Sequence, residues 1–245
     1  MKSIKKNILF LLFLSILVNL VGTKVLLIED SPYCNQDNPD NFIKFYITEI
    51  FKKLDITPDF EYVSHDEVMN RIDKNDFFIT TPFYIPKRLS NRILVSEKLY
   101  TFKNHVFYNE LIYNHLDINS LTDLKTYIIG SNAFYKHEQA LRKAGLTIHY
   151  SRNNIESIQK LTEQKVSFVI EEKIKGLMYL NQSTGKFKEN IKFYDISFFH
   201  EDIFIGAAIN NNESVRLMEK INTVLLDSAL MNQIEENFIN QILVK

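Results

Sequence analysis

The sequence predicts an α/β protein of two units in series, each a mainly parallel sheet flanked by helices. Three observations carry that expectation. Short runs rich in Val, Ile and Phe alternate with amphipathic stretches at helical spacing, a pattern that argues for parallel strands covered by helices. The alternation runs through the first third of the chain and starts again near residue 126. The composition is globular: 245 residues, 45% hydrophobic, with 6 Gly and 5 Pro. That is long enough for one large domain or two small ones. No internal repeat, low-complexity tract or heptad pattern breaks it. The formal net charge of −1 gives no reason to expect nucleic acid or an anionic membrane surface as a partner.

Residues 1–22 stand apart. Lys2, Lys5 and Lys6 precede an almost wholly apolar stretch, residues 8–22, interrupted mainly by Asn19. A basic start, a short apolar core and small residues at its end predict a secretory signal. The core is shorter than the roughly 20 residues of a membrane span. Removal near Gly22 or Thr23 takes away three lysines and no acid, which moves the charge from −1 to −4. No cysteine follows the apolar core closely, so a lipid-anchored cysteine is not expected, and export to the periplasm is. The single cysteine, Cys34, cannot form an internal disulfide.

The remaining elements follow in order. Residues 24–29 read as a buried strand, and Pro39 opens a helix with Ile43, Ile47, Ile50 and Leu54 on one face. Residues 59–63 form a second strand. Ser64 and Glu67 make a capping box for a helix carrying Val68 and Ile72. Residues 76–81 are a third strand and 94–108 more strand. In the second unit, residues 126–129 are a strand and 135–144 a helix closed by Gly145. Residues 147–150 are a strand, and 154–164 a helix aligning Ile155, Ile158 and Leu161. Residues 166–170 form another strand and 173–180 a short helix. Residues 181–188 are a polar loop and 204–209 a buried strand. A helix over 214–226 turns Val215, Met218, Ile221 and Leu225 inward, and a last helix spans about 229–243.

One stretch is rich in chemistry. Phe77-Phe78-Ile79-Thr80-Thr81-Pro82-Phe83-Tyr84-Ile85-Pro86-Lys87-Arg88 reads as a buried strand that opens into a stiff loop. Such a loop, with aromatic faces and the five N–H donors of Arg88, suits a small carboxylate. A surface arginine beside an ordinary loop is the plainer reading.

Three segments together resemble the extracellular solute-binding proteins of ABC importers for polar amino acids, which have the type II periplasmic-binding fold. Ser31-Pro32-Tyr33 is similar to that family's proline-tyrosine ligand loop. The run from Thr81 to Arg88 resembles its threonine-proline-glutamate-arginine stretch, with Lys87 in place of the acid, and continues through Ile93-Leu94-Val95-Ser96-Glu97-Lys98-Leu99-Tyr100. The segment 161–176 looks like the family's second-lobe helix and strand, with Glu172 where an aspartate is usual. Near Asn132 the loop reads Gly130-Ser131-Asn132-Ala133-Phe134, so the family's glycine is displaced. The resemblance implies two lobes joined by two crossing strands: residues 24–110 plus 204–245, and residues 111–203. It also implies a ligand in the cleft between them, a monomer, and an ABC transporter permease as membrane partner.

An α-amino acid offers a carboxylate and an ammonium. Arg88 would take the carboxylate, with backbone N–H donors from Ser131 to Phe134 at a helix start. Glu172 would take the ammonium. Thr81 would add a hydroxyl, and Tyr33 and Phe83 would close over the aliphatic part. Each has a structural alternative. Glu172 fits a helix N-cap region, Tyr33 and Phe83 fit packing, and Ser131 and Asn132 fit a turn. With ligand groups in both lobes, binding implies closure.

Enzymatic function has little support in the sequence. The six histidines make no metal-ligand pair at helical spacing with an acid between. No nucleophile elbow, phosphate-cradling loop or dinucleotide fingerprint occurs. Neither catalytic residue, metal nor cofactor is expected. A fold-related dehydratase and a ligand-sensing module for a membrane receptor are the alternatives.

Overall fold

The computed structural model describes residues 22–37, 41–83, 91–133 and 135–243. The expected signal before Gly22, Pro39 and Arg88 lie outside the described residues. In chain order the first elements are β1 (Thr23–Ile28), α1 (Phe42–Lys53), β2 (Pro58–Val63), α2 (His65–Asp73), β3 (Ile79–Phe83), β4 (Ile93–Val95) and β5 (Tyr100–Asn109). Then come β6 (Ile128–Asn132), α3 (Glu138–Lys143), β7 (Thr147–Ser151), α4 (Asn154–Thr162), β8 (Phe168–Glu172) and α5 (Lys173–Gln182). The chain ends with β9 (Ile191–Ala208), α6 (Asn212–Leu225) and α7 (Ser228–Leu243). It divides into two compact units, Met1–Leu99 with Phe204–Ile234 and Tyr100–Ile203 with Glu235–Lys245.

In the first unit β1 pairs in parallel with β2 and β3. The end of β9 pairs antiparallel with β3 and β4. Val25, Leu26 and Leu27 are all fully buried, as a strand covered on both faces requires. Leu26 packs with Val68, Ile72, Phe78 and Ile93. Helix α1 buries Phe42, Ile43, Tyr46, Ile47, Ile50 and Phe51, a stripe at 3.6-residue spacing, and packs against α6. It begins at Phe42, where Asn41 Oδ1 accepts the Lys44 N–H at 2.9 Å and so satisfies an otherwise orphaned donor. Ser64 caps α2 by accepting the Glu67 N–H at 3.2 Å, but the expected box does not close, because the Glu67 carboxylate accepts Arg71 Nε at 2.8 Å instead. In α6 Val215 is only half-buried. The inward stripe is instead Leu217, Met218, Ile221, Val224 and Leu225 around Ser214.

In the second unit β6 pairs in parallel with β7 and β8. Strand β5 lies antiparallel between β8 and the first part of β9. Val106, Ile129, Phe168 and Ile170 share one core with Leu124 and Leu141. Ile158 and Leu161 of α4 are buried, whereas Ile155 is exposed at 38%, contrary to the expected alignment. Gly176 lies against the Phe107 ring, where a Cβ would come within 2.2 Å of Cζ.

Two corrections bear on function. Helix α3 spans only Glu138–Lys143, not residues 135–144. Its closing residue holds, since Gly145 follows the Ala144 C-cap at φ +76°. Ser131 and Asn132 therefore end strand β6 and are not a helix N-terminus, while Asn132 O accepts the Tyr135 N–H at 3.1 Å, the bond of a turn. Strand β9 starts at Ile191, thirteen residues before the expected 204. Its first part mixes Lys192, Asp195, His200, Glu201 and Asp202 with apolar residues, which conceals a strand until β5 is placed beside it.

Candidate functional site

In the second unit, strand alternation sorts the polar residues onto two faces. Side chains two apart on a strand point the same way. Ser131 therefore shares a face with Ile129, Glu172 with Ile170 and Asn104 with Val106, all on the core face. Asn104 and Glu172 stand opposite each other in the β5–β8 ladder. The Asn104 amide donates to the hydroxyl of Tyr135, whose ring packs on the same core. Glu172, 4% exposed, is also the N-cap of α5, its Oε2 accepting the Lys175 N–H at 2.9 Å. Burial, with the Glu171 and Glu172 carboxylates next in importance, pushes the Tyr135 phenol well above its ordinary value. It remains a neutral hydroxyl, able to donate and accept.

The opposite face carries Asn132, Glu171 and His105. Asn132 Nδ2 donates to Asn154 Oδ1, and Asn154 Nδ2 donates to Glu171 Oε2. Glu171 Oε1 accepts the N–H of Glu172 at 2.9 Å. Burial raises the Glu171 carboxyl above its ordinary value, against the pull of Lys175 and that hydrogen bond.

In the first unit, Tyr33 is buried edge-on to Phe42, ring centroids 6.3 Å apart. Its carbonyl accepts Ile43 N–H at 3.0 Å, so it closes the β1 loop onto α1. Thr81 is fully buried, and its hydroxyl donates to Phe204 O at 3.3 Å. Phe83 ends β3, opposite Phe204. Cys34 is fully buried, and burial pushes its thiol up to about 12. A thiol held protonated is a poor nucleophile. Among the described residues no group of three His, Cys, Asp or Glu side chains is placed to hold a metal ion.

No family model matches the sequence, and a search of curated proteins returns no match. Solved structures do match. The L-cystine solute receptor of Neisseria gonorrhoeae, unliganded and open, aligns with a TM-score of 0.65 at 14% identity, over 91% of this chain and 94% of that one. The second substrate-binding domain of a protein assigned as an amino acid ABC transporter from Streptococcus pneumoniae Canada MDR_19A gives 0.61 at 15% identity, over 91% and 98%. An ancestral cyclohexadienyl dehydratase gives 0.62 at 14% identity, over 89% and 92%.

The chain has the type II periplasmic-binding fold.

Of the residues singled out in the sequence, this fold puts Ser131 and Glu172 on one sheet face of the second unit, and Asn132 on the other. Asn104, Tyr135, Asn154 and Glu171 were missed as site residues. Asn104 and Glu171 are ordinary polar residues until the β5–β8 register is known. Tyr135 was hidden by the helix expected to start there. Only Asn154 left a trace, in the Asn153-Asn154 pair at a helix start.

Proposed function

We propose that the chain is an exported solute-binding protein that captures a small zwitterion, an amino acid, and delivers it to the permease of an ABC importer. The observation that carries the reading is the polar group of buried Glu172 and Asn104 with half-buried Tyr135, at the carboxyl end of β8 and its ladder partner. Ligands of open α/β sheets gather at the carboxyl ends of strands. A carboxylate there, beside an amide and a neutral phenol, suits an ammonium and its N–H donors. Arg88 supplies the guanidinium for the ligand carboxylate, with Ser131 on the same sheet face as Glu172. Thr81, Phe83 and Tyr33 shape the first unit's contribution, and Asn132 acts through Asn154. Residues 1–22 direct the chain to the periplasm and are removed. Among the described residues no helix is long and apolar enough to cross a membrane.

The likeness to a substrate-binding domain and a cystine receptor supports binding over catalysis. The dehydratase likeness favours a second reading, a periplasmic lyase of the same fold. The test is a thermal-shift screen of residues 23–245 against amino acids and matching acids without the amine, with calorimetry on each hit. A ligand at a hundred times its dissociation constant raises stability by about 2.7 kcal/mol. Arg88→Ala is expected to abolish that binding with the fold intact, and Arg88→Lys to restore little, because the planar fork is lost. Unchanged affinity in Arg88→Ala refutes the amino-acid reading. Mass spectrometry of the bound ligand decides between capture, which returns it unaltered, and turnover.

A further inference from the structure

Glu171 is 3% exposed, and both its oxygens are engaged. Oε1 accepts the N–H of Glu172 at 2.9 Å, and Oε2 accepts Asn154 Nδ2. An ionised carboxylate only accepts, whereas a protonated one carries a donor. Each oxygen keeps a second lone pair, but a proton there would weaken it as an acceptor, so the two N–H donors favour the charged form. The charge then sets the direction of the amides beyond it. Asn154 must turn its NH2 toward Glu171, which leaves Oδ1 for Asn132, whose NH2 fills it. Amide orientations follow from their network, and here one carboxylate anchors the network.

We infer that ionised Glu171 is a positioning residue that holds the Glu172 end of β8 and, through the Asn154–Asn132 relay, the end of β6 in their ligand-ready arrangement. The inference rests on the reading in which Glu172 meets the ligand ammonium. The relay joins three elements at one end of the sheet: β6 through Asn132, the first turn of α4 through Asn154, and β8 through Glu171. By bonding the Glu172 N–H, Glu171 fixes the last peptide before α5, whose first turn Glu172 caps. The titratable and charged groups around Glu171 are Lys175 and Tyr179 from α5 and His105 opposite it on β5, with its neighbour Glu172 and Tyr135 from the loop before α3 on the other face of the sheet. Lys175 favours the charged form, and burial opposes it more strongly.

The geometry gives affinity and stability opposite pH dependences. Affinity needs the ionised relay, so it falls as pH drops through the raised Glu171 titration, by up to about tenfold per pH unit. The burial cost of the same charge is relieved by protonation. Its stability term is therefore fully present below the unfolded-state value and is lost as pH rises through the folded one. Removing the ionisable group removes both trends.

The experiment compares the mature protein with Glu171→Gln and Asn154→Ala between about pH 4 and pH 8. The Asn132 and Asn154 side-chain amides are followed by 15N NMR without ligand. Affinity for L-glutamine, whose own charges stay constant across most of this range, is measured by calorimetry. In the wild type both amides are expected to shift together, with one midpoint above the ordinary carboxylate range, and affinity to fall below it. Glu171→Gln removes the shift and flattens the affinity profile. Asn154→Ala abolishes the Asn132 response and keeps that of the Glu172 backbone N–H, which provides an independent test if Glu171→Gln does not fold. Wild-type amides that do not titrate, or a Glu171→Gln profile identical to wild type, overturn the inference. If no amino acid binds the wild type, the functional reading fails, while the NMR result still decides the relay.

Discussion

Asn104 on β5 stands directly opposite Glu172 on β8, and its amide donates to the Tyr135 hydroxyl. One residue earlier on β8, Glu171 faces the other side of the sheet, with His105 opposite it. Two adjacent glutamates thus occupy different surroundings. One caps a helix beside an amide and a phenol, and the other anchors a chain of amides.

The cap and the charge of Glu172 are separable. Glu172→Gln keeps an oxygen to accept the Lys175 N–H, so unfolding free energy is expected to change by less than about 1 kcal/mol. Affinity for amino acids is expected to drop far more than affinity for matching acids without the amine. Calorimetry on both ligand types checks this, and equal losses would assign Glu172 to the helix cap alone.

Gly176 is required for close packing. In Gly176→Ala the new methyl would sit 2.2 Å from Phe107 Cζ. Overpacking of this kind costs about 1–3 kcal/mol. Urea denaturation should show the loss, and Phe107→Leu in the same chain should recover part of it. A single variant as stable as the wild type would mean that the ring moves aside freely.

Asn41 does three things at once. It caps α1 through Lys44 N–H, and its Nδ2 donates to Tyr62 Oη at 2.6 Å and to Asn35 O at 3.2 Å. Asn41→Ala is expected to cost about 2 kcal/mol, roughly one for the cap and the rest for the lost bonds to β2 and the loop. Hydrogen exchange in the first turn of α1 should speed up, and Asn41→Ser should restore the cap alone.

Cys34 predicts an alkaline limb in stability. Its thiol is held at about 12 by burial, against an ordinary value of 9.0. Below pH 9 both folded and unfolded chains carry the proton, and its contribution is fully present. Above that the unfolded chain ionises first, so stability falls by up to about 1.4 kcal/mol per pH unit. Cys34→Ala should start from lower stability because of the cavity but decline less steeply with pH. Equal slopes would show that the thiol is accessible in the folded protein.

Much of the α/β order was legible because each element carries a local signal. The Val-Leu-Leu core of β1, the Ser64 cap of α2 and the apolar stripe of α1 depend only on neighbours within a few residues. What failed was also local in origin. Asn41, which the sequence reading did not single out, caps α1 through the Lys44 N–H. Tyr135 and Lys136 suit a helix, yet the turn begins only at Glu138.

By itself the sequence determined the class of fold and the strand–helix alternation in two units, and it offered Arg88, Glu172 and small polar groups near the strand ends as candidates for a site. Tertiary structure decided which of them share a face. Ser131 and Asn132 are adjacent in sequence and point to opposite sides of β6. Asn104 meets Glu172 only because β5 and β8 run antiparallel in that register. The physical reason is the two-residue period of a strand. A shift of one residue in pairing exchanges every side chain between the faces, and the pairing is set by contacts among residues far apart in the chain.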